Sequence, residues 1–196
     1  MRVAVVGTGR IGGTLGRAFA AAGHEVTFGS RGAETDAVVG GTSARVASIG
    51  DALGSAEVVV VAVPGEAVDE FVAAHGQRLS GRLVLDATNR IGAPVAHSAA
   101  IYAALPGVRY ARAFNCLGVE NLADPQYAEG PADMYFSAPE GADRATVEEL
   151  ISAVGLRAVY VGDGQADVVD GVLRLWFALA IGQRRGRQLA FRTLER

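Results

Sequence analysis

The sequence predicts an α/β protein whose sheet is doubly wound and mostly parallel, followed by C-terminal helices. The apolar run at residues 3–6 leads directly into a Gly-x-Gly-x-x-Gly turn, and a helical pattern of apolar residues starts near Ile11. Further along, short apolar runs alternate with helical patterns. These strand runs are continuously apolar, which is typical of a sheet covered on both faces. Strand, glycine turn and helix together indicate the Rossmann type of this fold.

Each later element follows from its own local pattern. The first helix has apolar residues at Ile11, Leu15, Ala18, Phe19 and Ala22, and Gly23-His24 ends it before a strand at 25–29. Further strands are predicted at residues 43–46, 57–63, 83–86, 108–113, 134–137 and 158–161. Further helices are predicted near 49–54, 66–75, 95–105 and 144–154, with turns at Pro64-Gly65 and Gly92-Ala93-Pro94. Because helices separate the strands, the connections favour parallel pairing.

The last part of the chain has a different pattern. We predict a dinucleotide-binding Rossmann domain at residues 1–162 and a helical segment at residues 163–196. From Ala166 to about Leu194 the apolar spacing predicts one long helix, which Gly182 and Gly186 would bend. This length favours packing across the ligand end of the sheet, against a second copy of the chain, or both. A homodimer through this helix is therefore one hypothesis.

The composition excludes several classes of protein. With 196 residues, half of them hydrophobic, the chain can bury one sizeable core. The net charge is only −3 and the arginines are spread along the chain, which argues against a nucleic-acid partner. A single cysteine, Cys116, leaves no disulfide framework and no cysteine pair for a metal. Lysine is absent, so a lysine Schiff base is excluded.

The sequence also bears on location. No apolar run is long enough to cross a bilayer, so no membrane partner is expected. Met1 leads directly into the first strand, which leaves no room for a secretory signal. We therefore expect a cytoplasmic protein.

The glycine turn predicts a bound dinucleotide. Glycines in this spacing let the backbone turn tightly and approach a pyrophosphate, whose charge is stabilised at the N-terminus of the following helix. The motif alone is weak in a chain with 26 glycines, but here a strand precedes it and a helix follows it. Thr8 and Arg10 would add a hydroxyl and a positive charge near the phosphates. The predicted contacts are Gly7, Thr8, Gly9, Arg10, Ile11 and Gly12.

The residues at the end of the second predicted strand indicate which dinucleotide is bound. An NAD site usually has Asp or Glu there to hold the ribose 2′-hydroxyl, whereas this chain has Ser30-Arg31. A hydroxyl and a guanidinium suit a 2′-phosphate, so we predict NADP(H). The alternative is that Arg31 is simply a solvated turn residue.

Three later strand ends are expected at the same crevice, because ligands bind outside the carboxyl ends of parallel strands. Val63 and Pro64 would form an apolar wall, or Pro64 would only end its strand. Asn89 and Asn115 each offer a donor and an acceptor suited to a carboxamide or to ribose hydroxyls, although asparagine also forms turns. Asp86 is expected to anchor a backbone turn.

Acid and base groups are scarce, and we assign no catalytic residue. Cys116 is expected to be a small buried residue, and His24 and His75 are expected to be structural. His97 alone among the histidines is placed to approach a substrate. Reduction of a ketone needs a placed proton donor, whereas hydride exchange between two ring cofactors needs mainly a dry slot.

Four segments together resemble the F420-dependent NADP oxidoreductase family, and the similarity continues at 120–125 and 186–192. The segments are residues 3–12, 22–31, 86–89 and 113–118. The resemblance implies that Ser30 and Arg31 hold the 2′-phosphate and that Thr8, Arg10 and Ile11 line the pyrophosphate. It also implies that Ala113 and Asn115 face the nicotinamide.

The resemblance further implies hydride transfer between NADPH and the deazaflavin coenzyme F420. This chain departs from the family at Arg112, where members often carry lysine, and at Cys116, where they often carry threonine. The hydride acceptor is therefore the open question. The alternatives are a flavin, a small imine or carbonyl compound, or a non-catalytic sensor of NADP(H).

Overall fold

The main sheet has six parallel strands in the order that is usual for the predicted fold class. The computed structural model describes residues 1–32, 39–90 and 97–196, without the His97 side chain. The strand order is β3-β2-β1-β4-β5-β6, and all neighbours pair in parallel. This order confirms the doubly wound Rossmann type. The strands are β1 Arg2–Val6, β2 Glu25–Ser30, β3 Arg45–Ser48, β4 Val58–Val61, β5 Leu83–Asp86 and β6 Arg109–Arg112.

Helices and two small sheets complete the described part. The helices are α1 Arg10–Ala21, α2 Ile49–Ser55, α3 Val68–His75, α4 His97–Ala103, α5 Val119–Ala123, α6 Ala142–Ala153 and α7 Ala166–Phe177. One small sheet pairs β7 Gln126–Tyr127 with β8 Gly130–Pro131, and the other pairs β9 Asp133–Phe136 with β10 Arg157–Tyr160. Ser137 exchanges backbone hydrogen bonds of 2.8 and 3.0 Å with Arg112, which joins β9 to the end of β6. The predicted turn at 92–94 lies outside the described residues.

The core has two halves, one on each face of the sheet. In β1, Val3 and Val5 pack into one apolar cluster, while Ala4 and Val6 pack into the other. All four residues of β4 are 3% exposed or less. This burial on both faces is why the strands are continuously apolar in sequence. In the part of the chain that the structure describes, no helix is long and apolar enough to span a membrane.

The prediction of one long helix to Leu194 is wrong. Helix α7 ends at Phe177 and is followed by one π-helical turn, Ala178–Gly182. Arg184 and Gly186 have φ of 56° and 91°, left-handed conformations that no α-helix continues through.

The chain then turns back, and its last residues lie against the body of the protein. The backbone N–H of Asp133 donates to the Phe191 carbonyl at 3.0 Å, and Trp176 Nε1 donates to the Leu189 carbonyl at 2.7 Å. Leu173 and Trp176 are buried in the same core as the sheet, so this segment packs on the rest of its own chain. The boundary after residue 162 and the homodimer stay predictions.

Candidate functional site

A cleft of about 760 Å³ lies at the carboxyl ends of the strands, where the chain order of the sheet reverses between β1 and β4. Doubly wound proteins bind their ligands at this point, and the volume is within the usual range for a ligand site. Ten of the thirteen residues predicted to contact the cofactor line the cleft. They are Gly7, Thr8, Gly9, Arg10, Ile11, Ser30, Arg31, Val63, Pro64 and Asn89.

The three glycines of the turn have different physical roles. Gly7 has φ of 110°, and a Cβ on it would lie 2.5 Å from the Ala62 carbonyl oxygen. A Cβ on Gly12 would overlap the carbonyl oxygen of Gly7 and lie 3.3 Å from Ala62 Cβ, so this buried glycine lets α1 pack against the turn. A Cβ on Gly9, by contrast, would meet no atom within 4 Å. The first and third glycines therefore serve the packing, and the second keeps space open in the cleft.

The residue that follows β2 presents a cation to the cleft. Arg31 is exposed, and no described residue forms an ion pair with it. The Ser30 hydroxyl forms a local turn instead, since it donates to the Gly32 carbonyl at 2.9 Å and accepts from the Gly32 N–H at 3.2 Å. Ser30 therefore gives the turn its shape, while the Arg31 guanidinium is available to an anion.

Arg10, the other predicted cation, has a partner. Its Nη2 lies 3.5 Å from Glu120 Oε1, and the same oxygen accepts from Arg187 Nε at 3.0 Å. Glu120 thus links the glycine turn to the C-terminal segment. The Arg187 hydrogen bond, helped by a backbone hydrogen bond and by the charges of Arg187 and Arg10, holds the pKa of Glu120 below its usual range, although burial acts in the opposite direction. A phosphate at Arg10 would compete with this carboxylate.

Helix α3 forms a wall of the cleft that sequence reasoning missed. Phe71 and His75 line it, with ring centroids 5.7 Å apart, together with Glu70 and Ala74. The predicted apolar residues Val63 and Pro64 precede this helix at the end of β4. Because Phe71 and His75 are four residues apart and so share a helix face, their spacing was the available signal.

Ala113, Asn115 and Gly12 do not line the cleft. All three are buried, with Ala113 and Asn115 fully inaccessible. Asn89 does line it, and its Nδ2 donates to the Asn115 carbonyl at 2.9 Å. A direct contact of Ala113 or Asn115 with a cofactor therefore stays a prediction. His97 begins α4, but its side chain lies outside the described part.

Beneath Asn89 lies a buried charge cluster that the sequence did not reveal. The Arg112 guanidinium lies 2.8 Å from Asp170 of α7 and 3.1 Å from Asp86 of β5, and all three side chains are 2% exposed or less. The Asp86 carboxylate also accepts from the Thr88 N–H at 2.9 Å, which confirms that it anchors a turn. Burial raises the pKa of Asp170, with Arg112 acting in the opposite direction. These groups are paired and enclosed, so they are not free acids for a substrate.

Cys116 is a buried structural residue, as predicted. Its Sγ lies 3.7 Å from Met134 Sδ, and burial raises the pKa of the thiol to about 12. The thiol therefore stays protonated at neutral pH and is not a nucleophile. We expect Ellman's reagent to leave the native protein unmodified and to react with one thiol per chain after denaturation. Modification of the native protein at the rate of a free thiol would contradict this assignment.

The chemistry available in the described part of the site is limited. Among the described residues, no cluster of histidine, cysteine and carboxylate side chains could hold a metal ion. At the ends of β5 and β6, the described polar side chains are amides, a hydroxyl and the enclosed charge cluster. This end of the cleft can orient a ligand by hydrogen bonds, but its described residues include no exposed acid or base.

Comparison with known proteins defines the class. A family model described as NADP oxidoreductase, coenzyme F420-dependent, matches residues 2–90, which include all the described residues that line the cleft. The resemblance seen in the sequence is confirmed for this part of the chain. Fold, cleft and family match together indicate an NADP-dependent oxidoreductase. No curated protein gives a significant match to the sequence.

Solved structures share the whole fold. A protein from Arthrobacter sp. FB24, described only provisionally as an F420-dependent NADP reductase, is 24% identical with a TM-score of 0.81 and full coverage of both chains. A hypothetical protein from Sinorhizobium meliloti is 27% identical, with a TM-score of 0.72 and coverage of 100% and 96%. A reductive aminase from Aspergillus terreus in complex with NADPH4 is 22% identical with a TM-score of 0.72, over 91% of this chain and 61% of that one.

Proposed function

We propose that this protein transfers a hydride between NADP(H) and the deazaflavin coenzyme F420, or a planar acceptor like it. One observation carries the proposal. The cleft runs from Arg31 across the open space at Gly9 to the amide of Asn89, and its described acid and base, Glu70 and His75, lie on α3 and not at the ends of β5 and β6. Such a site suits a reaction in which the two rings supply the chemistry. A cytoplasmic location is part of this proposal.

The residues present fit the cofactor. Gly9, at the N-terminus of the twelve-residue helix α1, leaves room for a pyrophosphate, and the helix dipole favours its charge. Arg31 would hold the 2′-phosphate, and Ser30 would shape the turn that presents it. Phe71 and Val63 would give apolar contact to the rings and ribose along the opposite wall. Thr8 and Ile11 would line the phosphate side.

The chain itself would act by positioning. When bound, NADPH supplies the hydride from its nicotinamide, and a deazaflavin ring can accept it directly. Asn89 can hydrogen-bond a carboxamide or a ribose hydroxyl, because each of its amide atoms has one bonding position left beyond its protein partners. The apolar wall at Val63 and Pro64 excludes water on that side, and a fixed ring geometry lowers the barrier by orientation.

A direct assay tests the proposal. We expect the protein to oxidise NADPH with stoichiometric reduction of F420, followed by the absorbance of both, and to do so more slowly with FMN or FAD. NADH should be a poor donor under the same conditions. The matched control is the same mixture with the Arg31→Ala variant at a limiting concentration of NADPH.

Two other outcomes would replace this proposal. Imine reductases and a reductive aminase share the fold, so a cyclic imine and a ketone with an amine should be assayed in parallel. If the protein reduced these small substrates and not F420, it would be a small-molecule reductase. Such a reaction needs a proton donor, and Asp170, paired with Arg112 and 1% exposed, is not accessible for that role. Tight NADPH binding without turnover of any acceptor would indicate a sensor.

A further inference from the structure

We propose that Arg112 and Asp170 form a positioning pair that fixes the amides of Asn89 and Asn115 at the acceptor end of the cleft. Through this pair, helix α7 would set the geometry of hydride transfer without contacting the cofactor. The proposal rests on the function proposed above. It adds Asp170, which the sequence did not indicate, and gives a role to Arg112, 58 positions away in the chain.

The Arg112 guanidinium joins three elements at one point. Its Nε and Nη2 donate to Asp170 Oδ1 at 3.0 and 2.8 Å, which ties α7 to the end of β6. Its Nη1 donates to the Thr88 carbonyl at 2.7 Å and contacts the Asp86 carboxylate at 3.1 Å, which ties in the end of β5. The second N–H of Nη2 donates to Asn89 Oδ1, at a distance of 3.4 Å between the two heavy atoms. One buried cation therefore determines how β5, β6 and α7 meet beneath the cleft.

This arrangement fixes the orientation of the Asn89 amide. Asn89 Nδ2 donates to the Asn115 carbonyl, and Asn89 Oδ1 faces the guanidinium. A flipped amide would place two sets of donors against each other and leave the Asn115 carbonyl without its donor. Asn89 lines the cleft, so its remaining N–H and lone pair reach a ligand in one defined direction. That direction depends on Arg112.

Asn115 is held by the other partner of the pair. Its Nδ2 donates to Asp170 Oδ1 at 2.9 Å, while its Oδ1 is buried without a hydrogen-bond partner among the described residues. The preceding residue, Phe114, has φ of 64°, a left-handed conformation that a bulky side chain rarely adopts. Strained backbone and an unpaired buried acceptor persist only where the surroundings enforce them. Asp170 holds the Asn115 amide in this orientation, because a flipped amide would place its oxygen against the carboxylate.

Stability alone gives no reason for this cluster. Enclosing a cation and two carboxylates costs desolvation, and apolar residues of similar volume are often as stabilising. A charged cluster does, however, specify one arrangement of hydrogen bonds, which apolar packing does not. The location directly beneath Asn89 makes that specificity useful for orienting a ligand.

The test compares two isosteric variants, Asp170→Asn and Asp133→Asn. Asp133 is also a fully buried carboxylate paired with an arginine, since Arg157 Nε and Nη2 donate to it at 2.6 and 2.8 Å, but its hydrogen bonds go to Arg157 and Thr193 and not to the Arg112 cluster. It therefore controls for the loss of a buried ion pair. Each variant is measured for thermal stability, for the Kd of NADPH and for the single-turnover rate of hydride transfer.

We expect Asp170→Asn to slow hydride transfer by about 10- to 100-fold, the scale of a small misplacement of reacting groups. The Kd of NADPH should change less than about threefold, because the hydrogen bonds of Asp170 go to Arg112 and Asn115 and to none of the proposed phosphate contacts. Asp133→Asn should lower the melting temperature while leaving the rate unchanged. The proposal would be overturned if both variants slowed hydride transfer equally. It would also be overturned if Asp170→Asn raised the Kd of NADPH by as large a factor as it lowered the rate.

A second measurement needs no hydride acceptor. The side-chain amide NMR signals of Asn89 and Asn115 should shift in Asp170→Asn and stay in place in Asp133→Asn, and the fluorescence of bound NADPH should change in the first variant alone. If the wild type reduces no acceptor, the proposed function fails, and these signals still decide the positioning role. Unchanged signals in Asp170→Asn would overturn it. Should that variant not fold, Asp170→Glu, which keeps the charge but moves it, is measured in the same way.

Discussion

Alanine at Gly9 is expected to abolish tight NADPH binding without affecting the fold, whereas alanine at Gly12 is expected to destabilise the fold itself. A Cβ at Gly9 meets no protein atom within 4 Å, and its φ of −71° is ordinary for alanine. The free energy of unfolding should therefore change by no more than about 0.5 kcal/mol. The same Cβ would occupy the space that a pyrophosphate needs, so the Kd of NADPH should rise by about 100-fold.

At Gly12 the new methyl group has no space in the protein. It would overlap the carbonyl oxygen of Gly7 and press on Ala62, so α1 would have to move away from the turn. Overpacking of this kind costs roughly 1–3 kcal/mol, which for a chain of this size lowers Tm by about 3–10 °C. Binding should weaken as well, because the displaced helix no longer presents its N-terminus to the cleft.

The pair is measured by thermal unfolding and by titration with NADPH followed by fluorescence. Because each variant adds one methyl group to the same turn, each serves as the other's control. A Gly9→Ala protein with the wild-type Kd would show that no phosphate approaches this turn. A Gly12→Ala protein with the wild-type Tm would show that α1 can relax at no cost.

The sequence predicts well what depends on local pattern. The glycine turn and most of the strands and helices follow from runs of residues that are neighbours in the chain, since a strand, a tight turn and a helix are each encoded locally. The residues at the ends of β1, β2, β4 and β5 could be placed at one crevice for the same reason, because parallel strands bring their carboxyl ends to one edge.

What depends on distant packing could not be predicted. Leu189 was an apolar position of the predicted long helix, yet its backbone carbonyl accepts from Trp176 and that of Phe191 accepts from Asp133, and no local pattern encodes those partners. Likewise, Arg112 and Asp170 are far apart in the sequence, and an isolated arginine or aspartate gives no sign that it will be buried.

The family resemblance supplied information that local pattern did not, but with a limit. It implied that Ala113 and Asn115 face the nicotinamide, but the side chains of both residues are fully buried. Asn115 does not line the cleft, but its backbone carbonyl accepts a hydrogen bond from Asn89, which does. The residue that the cleft exposes is therefore Asn89, and Asn115 lies one hydrogen bond behind it. This order is why we assign orientation of the ligand to Asn89 and support of that orientation to Asn115, Arg112 and Asp170.

The Arg31→Ala variant is expected to lose affinity for NADPH and not for NADH. Arg31 is the exposed cation after β2 with which no described residue forms an ion pair, and a charge-assisted hydrogen bond to a 2′-phosphate contributes roughly 1–3 kcal/mol. The Kd of NADPH should therefore rise by about 5- to 150-fold, and the increase should shrink at high salt because the site is exposed. NADH has a hydroxyl in place of the phosphate, so its Kd should change less than about twofold.

Two controls separate the charge from the shape of the turn. Arg45→Ala removes an exposed arginine on neighbouring β3 that pairs with Glu25, and it should leave the affinities for both cofactors unchanged. Ser30→Ala removes the hydroxyl that bonds Gly32, and it should weaken NADPH less than Arg31→Ala does, because that hydroxyl already has partners within the turn. If Arg31→Ala weakens NADPH and NADH equally, the guanidinium contacts a part that the two cofactors share, and the preference for NADP(H) must come from elsewhere in the cleft.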